Sequence, residues 1–149
     1  MTPSESSPKK LSWLYLIAAI LSLGGLADAI YLTVQDLTGA SLRCTIISGC
    51  SEVLASKYSH IGSIPLASVG AGAYFVFFSL AILAAFGYAF VRPLLTVLVT
   101  VMFLTSLWLF YLQAFVIHHF CQYCLLSAAI TTILTVLVFS ARVGRARLK

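Results

Sequence analysis

Four cysteines carry the most reactive side chains of this chain, and they form two pairs. Cys44 and Cys50 have five residues between them, and Cys121 and Cys124 enclose a Gln-Tyr dipeptide. In thiol–disulfide exchange a thiolate attacks a disulfide sulfur, so two neighbouring pairs can pass a disulfide from one to the other. The cysteines therefore predict exchange chemistry, on condition that the fold brings both pairs to one place.

The elements that position these cysteines are predicted to be membrane-spanning helices. Of the 149 residues, 61% are hydrophobic and only 9% are charged, which excludes a soluble enzyme and a disordered chain. A bilayer core about 30 Å thick needs roughly 20 apolar residues per helix. We predict an all-α membrane protein, a four-transmembrane-helix bundle with a long loop at 35–64. The predicted spans are 11–34, 65–91, 94–117 and 120–141.

Lysine and arginine predict how the bundle is oriented. Seven of the nine lie on one side of a four-span arrangement, and only Arg43 and Lys57 lie on the other. Positive segments stay in the cytoplasm, which predicts a polar cytoplasmic start (1–10), a membrane domain (11–141) and a basic cytoplasmic tail (142–149). The loop and all four cysteines then face outward from the plasma (cell inner) membrane. Since the net charge of +5 follows this topology, we predict no nucleic-acid partner.

A cleaved signal peptide is the competing interpretation of the first span. Lys9 and Lys10 precede an apolar run, and the Ala-Asp-Ala sequence at 27–29 resembles a cleavage site. The run at 11–26 is longer than the apolar region of about 7 to 15 residues in a signal peptide. We therefore predict a retained helix.

The second cysteine pair lies at the start of the fourth predicted span. Cys121 would sit at or just before the first turn, where free backbone N–H groups and the helix dipole stabilise a thiolate. One helical turn brings Cys124 near it. A thiol with a lowered pKa is both a ready nucleophile and a good leaving group.

Other uses of the cysteines agree less well with their spacing. Inert structural disulfides suit an oxidising outer face, and buried unreactive thiols are a further alternative. Four thiolates can bind zinc, but the first pair lacks CxxC spacing and both pairs border the membrane, so we predict no metal. Of the three complete pairings, proximity favours Cys44–Cys50 and Cys121–Cys124 at rest, with a bridge from the loop to the fourth span as intermediate.

The loop has features of an anchored but mobile segment. Its apolar residues alternate with polar ones in a manner that predicts a short amphipathic helix after Cys50, lying on the membrane surface. Ser48 and Gly49 provide a flexible joint before that helix. The apolar positions are Ile46, Ile47, Val53, Leu54, Tyr58 and Ile61.

Polar and aromatic residues near the outer face are further candidates. Asp28 is an intramembrane carboxyl, for which we weigh a structural role against proton transfer. His118 and His119 either favour the Cys121 thiolate or are simply solvated at the interface. Three aromatic residues either pack against lipid and helices or line a site for a flat ring: Tyr74, Trp108 and Tyr111.

The combined motifs resemble the vitamin K epoxide reductase family, in its prokaryotic form without a fused thioredoxin-like domain. The resemblance extends from residues 28–31 to the last helix. It rests on Cys44, on the Cys50-Ser51-x-Val53-x-x-Ser56-x-Tyr58 motif, on a Gly62-x-x-Pro65 turn and on Cys121-x-x-Cys124.

The resemblance implies a bundle around a quinone of the ubiquinone, menaquinone or phylloquinone type. By family pattern, Cys44 forms a mixed disulfide with a separate thioredoxin-fold (DsbA-like) partner, Cys50 exchanges with Cys121, and Cys124 faces the quinone. Electrons would thus leave an extracytoplasmic partner for the membrane quinone, which supports disulfide formation. Quinone-binding or supporting roles fall to Ser56, Tyr58, Asp28, His119 and Tyr74.

Two departures from the vertebrate pattern disfavour epoxide reduction. The chain contains no asparagine, and no tyrosine follows the second cysteine pair at 125–129. Vitamin K epoxide or quinone reduction proper remains one alternative, and a non-catalytic membrane protein with structural disulfides is another. A DsbB-type enzyme performs the same chemistry, but its CxxC precedes its spaced pair, opposite to the order here.

Overall fold

The computed structural model describes residues 8–39, 44–46 and 49–147, most of which are helical. Predictions for the start of the chain before Pro8, for Arg43, Ile47 and Ser48, and for the last two residues lie outside the described residues. The elements are α1 (Pro8–Thr38), α2 (Cys50–Leu54), β1 (His60–Ile61), β2 (Ile64–Pro65), α3 (Leu66–Ala85), α4 (Val91–Tyr111), a π-helix (Leu112–Ile117) and α5 (Gln122–Ala146).

Four helices are long and apolar enough to cross a membrane, which confirms the predicted all-α bundle. Their ends differ from the limits of the apolar runs. The second span ends at Ala85 instead of 91, because Gly87 adopts a positive φ of 101° in the turn that follows. The fourth continues to Ala146, past the predicted end at 141, since basic residues are compatible with a helix that leaves the bilayer.

The bundle is a ring in which α1 packs on α3 and α5, and α4 closes the other side between them. Small residues such as Ala18, Ala19 and Ala81 are fully buried and let these helices approach closely. Gly25 serves the same purpose, because a Cβ added there would overlap the ring of Tyr74.

The ends of the helices define two poles of the molecule. At one pole the start of α1 meets the end of α3, where the Ser12 hydroxyl donates to the carbonyl of Ala85 at 3.0 Å. At the other pole Leu32, near the end of α1, packs with Cys121 at the start of α5. We call this second end the cysteine pole.

The loop between α1 and α3 contains the expected short helix, but α2 is only five residues long. It ends early because the Ser56 and Ser59 hydroxyls donate to the carbonyls of Val53 and Leu54, which replaces the next helical turn. Cys50 and Val53 are buried within the cysteine pole. The apolar face of α2 thus packs on the bundle, and its position at the membrane surface stays a prediction.

A two-stranded hairpin replaces the rest of the predicted amphipathic segment. Ile61 pairs with Ile64 across a turn in which Gly62 has a φ of 66°. His60, at the start of the hairpin, places its Nε2 2.9 Å from a carboxylate oxygen of Asp36 on α1. This contact holds the hairpin against the cysteine pole.

Candidate functional site

All four cysteines lie in one cluster at the cysteine pole. Cys50 and Cys121 are fully buried side by side with Leu32, and Cys44 and Cys124 pack against them. Cys44 and Cys50 form a disulfide with their Cα atoms 6.2 Å apart, as proximity predicts. The predicted resting disulfide between Cys121 and Cys124 is not formed, and both are free thiols. The structure thus contains an oxidised loop pair beside a reduced helix pair.

The local structure at the start of α5 favours ionisation of Cys121. Cys121 is the N-cap residue, in an extended conformation, so the first N–H groups of α5 have no partner within the helix. A hydrogen bond with the Cys124 thiol, assisted by the backbone N–H groups of Tyr123 and Cys124, lowers the pKa of the Cys121 thiol to about 7. Burial and the negative charge of Asp28 oppose this shift.

A π-helix at the end of α4 brings an amide to the same place. Such wide turns are rare and frequently occur at functional sites. Gln113 lies in this turn, is 3% exposed, and its Oε1 accepts the backbone N–H of Cys121 at 3.0 Å. Gln113 is not among the site residues predicted from the sequence. Its only signal was an isolated amide near the end of an otherwise apolar span.

A second missed glutamine connects the loop to the cysteine motif. Gln122 is the residue after Cys121, and its Oε1 accepts the backbone N–H of Ile46 at 3.0 Å. Its Nε2 lies 3.5 Å from the Thr45 hydroxyl. These contacts hold the segment that carries Cys44 beside the start of α5.

An apolar cavity of about 140 Å³ lies between the helices just inside the cysteine pole. Leu32, Phe110 and Ile117 form part of its wall, and Cys124 is the only cysteine among its lining residues. Cys121 is buried on the side of the loop disulfide instead. The polar side chains in its wall are Asp28, Asp36, Ser56, Tyr58, Ser59, Tyr74, Ser106, Gln113 and Ser127.

Four of the five supporting residues predicted from sequence line this cavity, namely Asp28, Ser56, Tyr58 and Tyr74. The Ser56 hydroxyl donates to the Val53 carbonyl at 2.7 Å, so its hydrogen is already engaged. The Tyr74 hydroxyl is 2.8 Å from Ser127 Oγ and 2.9 Å from Thr131 Oγ1 on α5. Asp28 is 8% exposed, and its Oδ2 has no hydrogen-bond partner among the residues described.

The fifth, His119, lies away from the cavity wall and next to the loop joint. A Cβ added to Gly49 would be 3.1 Å from the Cβ of His119 and 3.0 Å from the carbonyl oxygen of Phe120. Trp108 and Tyr111 are half exposed on the outer surface of the bundle. In the described part of the chain, no group of three or more His, Cys, Asp or Glu side chains is arranged to hold a metal ion.

Four membrane-spanning helices with a disulfide, a thiol pair and an apolar cavity at one pole define the class of membrane thiol oxidoreductases. The model of the vitamin K epoxide reductase family matches residues 16–139. The chain belongs to this family, and the resemblance seen in its motifs is confirmed. Family membership makes it a membrane thiol–disulfide oxidoreductase of a family that works with quinones.

Proposed function

We propose that this protein is a thiol:quinone oxidoreductase that oxidises a separate, extracytoplasmic thioredoxin-fold partner and reduces a membrane quinone. The observation that carries the proposal is the different surroundings of the two free thiols. Cys121 is buried beside Cys50 of the loop disulfide, whereas Cys124 lines the apolar cavity. One cysteine motif therefore connects the loop to the cavity.

The loop pair exchanges with the partner first. Cys44 is partly exposed and Cys50 is buried, so an incoming thiolate attacks the Cys44 sulfur and releases Cys50 as a thiolate. The second thiol of the partner then displaces Cys44, and the partner leaves with a disulfide. The two electrons of the partner now reside on the loop cysteines.

The second exchange moves these electrons to the helix pair. The Cys50 thiolate attacks Cys121 of an oxidised Cys121–Cys124 bridge and releases Cys124 beside the cavity. Cys44 then displaces Cys121 from Cys50, which restores the loop disulfide and leaves two thiols on α5. The product of this exchange has a Cys44–Cys50 disulfide and free thiols at Cys121 and Cys124.

The cavity suits a quinone as the final acceptor. The surface of the cavity is mostly apolar and suits an apolar ring, as is usual for sites that bind apolar ligands. Two features provide polar contacts for the ring oxygens: the amide of Gln113 and the unpartnered carboxyl of Asp28. A quinone bound there takes two electrons and two protons, and Cys121 and Cys124 close their disulfide.

The charge distribution supports an outward-facing cysteine pole. Basic residues lie at the opposite pole, at the start of α1 and α4 and at the end of α5: Lys9, Lys10, Arg92, Arg142, Arg145 and Arg147. Positive segments remain cytoplasmic. We therefore place both termini in the cytoplasm and the four cysteines at the extracytoplasmic face of the plasma membrane, where secreted proteins acquire disulfides.

The test is replacement of Cys124 by alanine. We expect Cys124→Ala to abolish quinone reduction while Cys50 and Cys121 still form a disulfide that gel mobility under non-reducing conditions detects. Cys44→Ala is the matched control, because it removes the thiol that meets the partner and keeps the thiol at the cavity. Normal quinone turnover by Cys124→Ala contradicts the proposal.

A further inference from the structure

The carboxyl group of Asp28 is buried in the bundle with one oxygen unsatisfied. The residue is 8% exposed, and its Oδ2 is inaccessible and has no hydrogen-bond partner within the described part of the chain. An ionised carboxylate in such a place is strongly unfavourable unless something pairs with it. The side chain is therefore either protonated or paired with a molecule in the cavity that it lines.

Two of the other titratable groups that line this cavity, Asp36 and Tyr74, already have polar partners. On α1, Asp36 pairs with His60 of the hairpin. On α3, the Tyr74 hydroxyl is bonded to Ser127 and Thr131 of α5, and the loop contributes the phenol of Tyr58. Among the cavity-lining residues of α4 and the π-helix, none is titratable. Asp28 is thus the carboxyl beside Cys124 whose proton is not engaged elsewhere.

The redox step needs a proton that the cysteines do not supply. Reduction of a quinone to the hydroquinone consumes two electrons and two protons. When Cys121 reacts as a thiolate, the sulfur pair releases two electrons but only one proton, that of Cys124. A second proton must come from a group that reaches the cavity.

We infer that Asp28 is the proton donor for quinone reduction at this site. In the balanced step the Cys121 thiolate and the Cys124 thiol form a disulfide, and the quinone receives their two electrons. Cys124 provides the first proton and the Asp28 carboxyl the second, so that hydroquinone, a disulfide and the Asp28 carboxylate are the products. Water at the cysteine pole then returns a proton to Asp28. This inference rests on the proposed function and adds its proton source.

Electrostatics couples disulfide formation at Cys121 and Cys124 to proton donation by Asp28. A carboxylate at Asp28 would repel the Cys121 thiolate, since its negative charge raises the pKa of that thiol. Asp28 therefore keeps its proton while the thiolate is present. Once the disulfide has formed, that negative charge is gone and the carboxylate is tolerated. One negative charge thus alternates between sulfur and carboxylate during turnover.

The experiment compares Asp28→Asn with the wild-type full chain in detergent, with dithiothreitol as reductant and a short-chain ubiquinone or menadione as acceptor. We expect kcat to fall by roughly 100-fold at mildly alkaline pH, the lower limit of a typical proton-transfer contribution, with little change in KM. The deficit should narrow as the pH falls, because hydronium replaces the donor. Added acetic acid should restore activity in the variant, and Asp28→Glu should retain most of it.

Ser22→Ala is the matched control, since it removes another buried polar group of α1 that lies outside the cavity wall and bonds only to Ala19. An Asp28→Asn protein with wild-type kcat and pH profile refutes the inference but leaves the proposed function intact. A loss of activity that neither low pH nor acetic acid relieves also refutes it, because that is the result of a structural role. Wild-type protein that reduces neither quinone refutes the proposed function and this inference together.

Discussion

Cys121 and Cys124 are three residues apart and have different surroundings. Cys121 precedes the first turn of α5, where Gln113 fixes its backbone N–H and the Cys124 thiol hydrogen-bonds to its sulfur. Cys124 lies one turn further into the bundle and faces the cavity. The start of α5 thus makes one thiol acidic and places the other at the wall of an apolar cavity. The difference follows from their position on the helix.

The acidity of Cys121 gives a prediction at this scale. A variant in which serine replaces Cys44 and Cys50 keeps only the two thiols of α5, and its thiolate absorbance should titrate with a midpoint of about 7. Below this pH the thiol takes up its proton and the nucleophile is lost. Adding Cys124→Ala should raise the midpoint toward that of an ordinary thiol, because the hydrogen bond is removed. A midpoint that does not move contradicts this account.

Gln113 gives a second prediction at the residue scale. Gln113→Leu leaves the buried N–H of Cys121 without an acceptor, which should lower the free energy of unfolding by about 1–3 kcal/mol. Thermal unfolding in detergent measures the change. Thr105→Val is the control, since this exposed hydroxyl of α4 bonds only within its own helix and its loss should have little effect. Equal stability of both variants would show that the amide does not hold the N-cap.

At the scale of elements, Gly49 before α2 packs closely against His119 and Phe120, which precede α5. Gly49 has a φ of 140° and lies against Phe120, so it is both conformationally unusual and tightly packed. Gly62, in the hairpin turn, also has a positive φ but has open space around it. An alanine at Gly62 would therefore cause backbone strain alone, whereas an alanine at Gly49 would cause strain and steric overlap.

Replacing Gly49 tests whether this packing sets the exchange rate. In a Cys124→Ala background, Gly49→Ala should slow formation of the Cys50–Cys121 bridge by about tenfold, a cost near 1.4 kcal/mol, because the new Cβ pushes the loop from residues 119–120. The measurement is the time course of disulfide trapping. Gly62→Ala, which adds strain without overlap, should bridge at close to the normal rate. Equal rates for both variants would exclude packing at Gly49 as the cause.

The elements also differ in how well the sequence predicted them. The four apolar runs predicted the four membrane-spanning helices, because the thickness of the membrane fixes the length of each span. The hairpin at His60–Pro65 was missed, because alternating apolar residues fit a strand as well as a short helix. Gln113 was missed for another reason. A π-helix at the end of α4 carries it, and no spacing in the sequence predicts that wide turn.

At the scale of the whole molecule, the cysteines and the basic side chains lie at opposite poles. The cysteine pole has the sulfur atoms and the cavity, and the other pole has nearly all the basic side chains that the structure describes. Lys57 is the described exception, in the loop at the cysteine pole. This asymmetry connects topology with chemistry, because the loop disulfide can meet a secreted partner only if the basic pole remains in the cytoplasm.

Labelling from the two sides of the membrane tests this arrangement. In a variant whose four native cysteines are serine, a single cysteine at Ile46 lies at the cysteine pole, and one at Tyr88 lies in the turn between α3 and α4; both native side chains are well exposed. An impermeant maleimide added to intact cells should label Ile46→Cys and should reach Tyr88→Cys only after permeabilisation. Were Tyr88→Cys labelled from outside instead, the cysteine pole would face the reducing cytoplasm. The electron route from a secreted thioredoxin-fold protein would then be impossible, whatever the distances between the sulfur atoms.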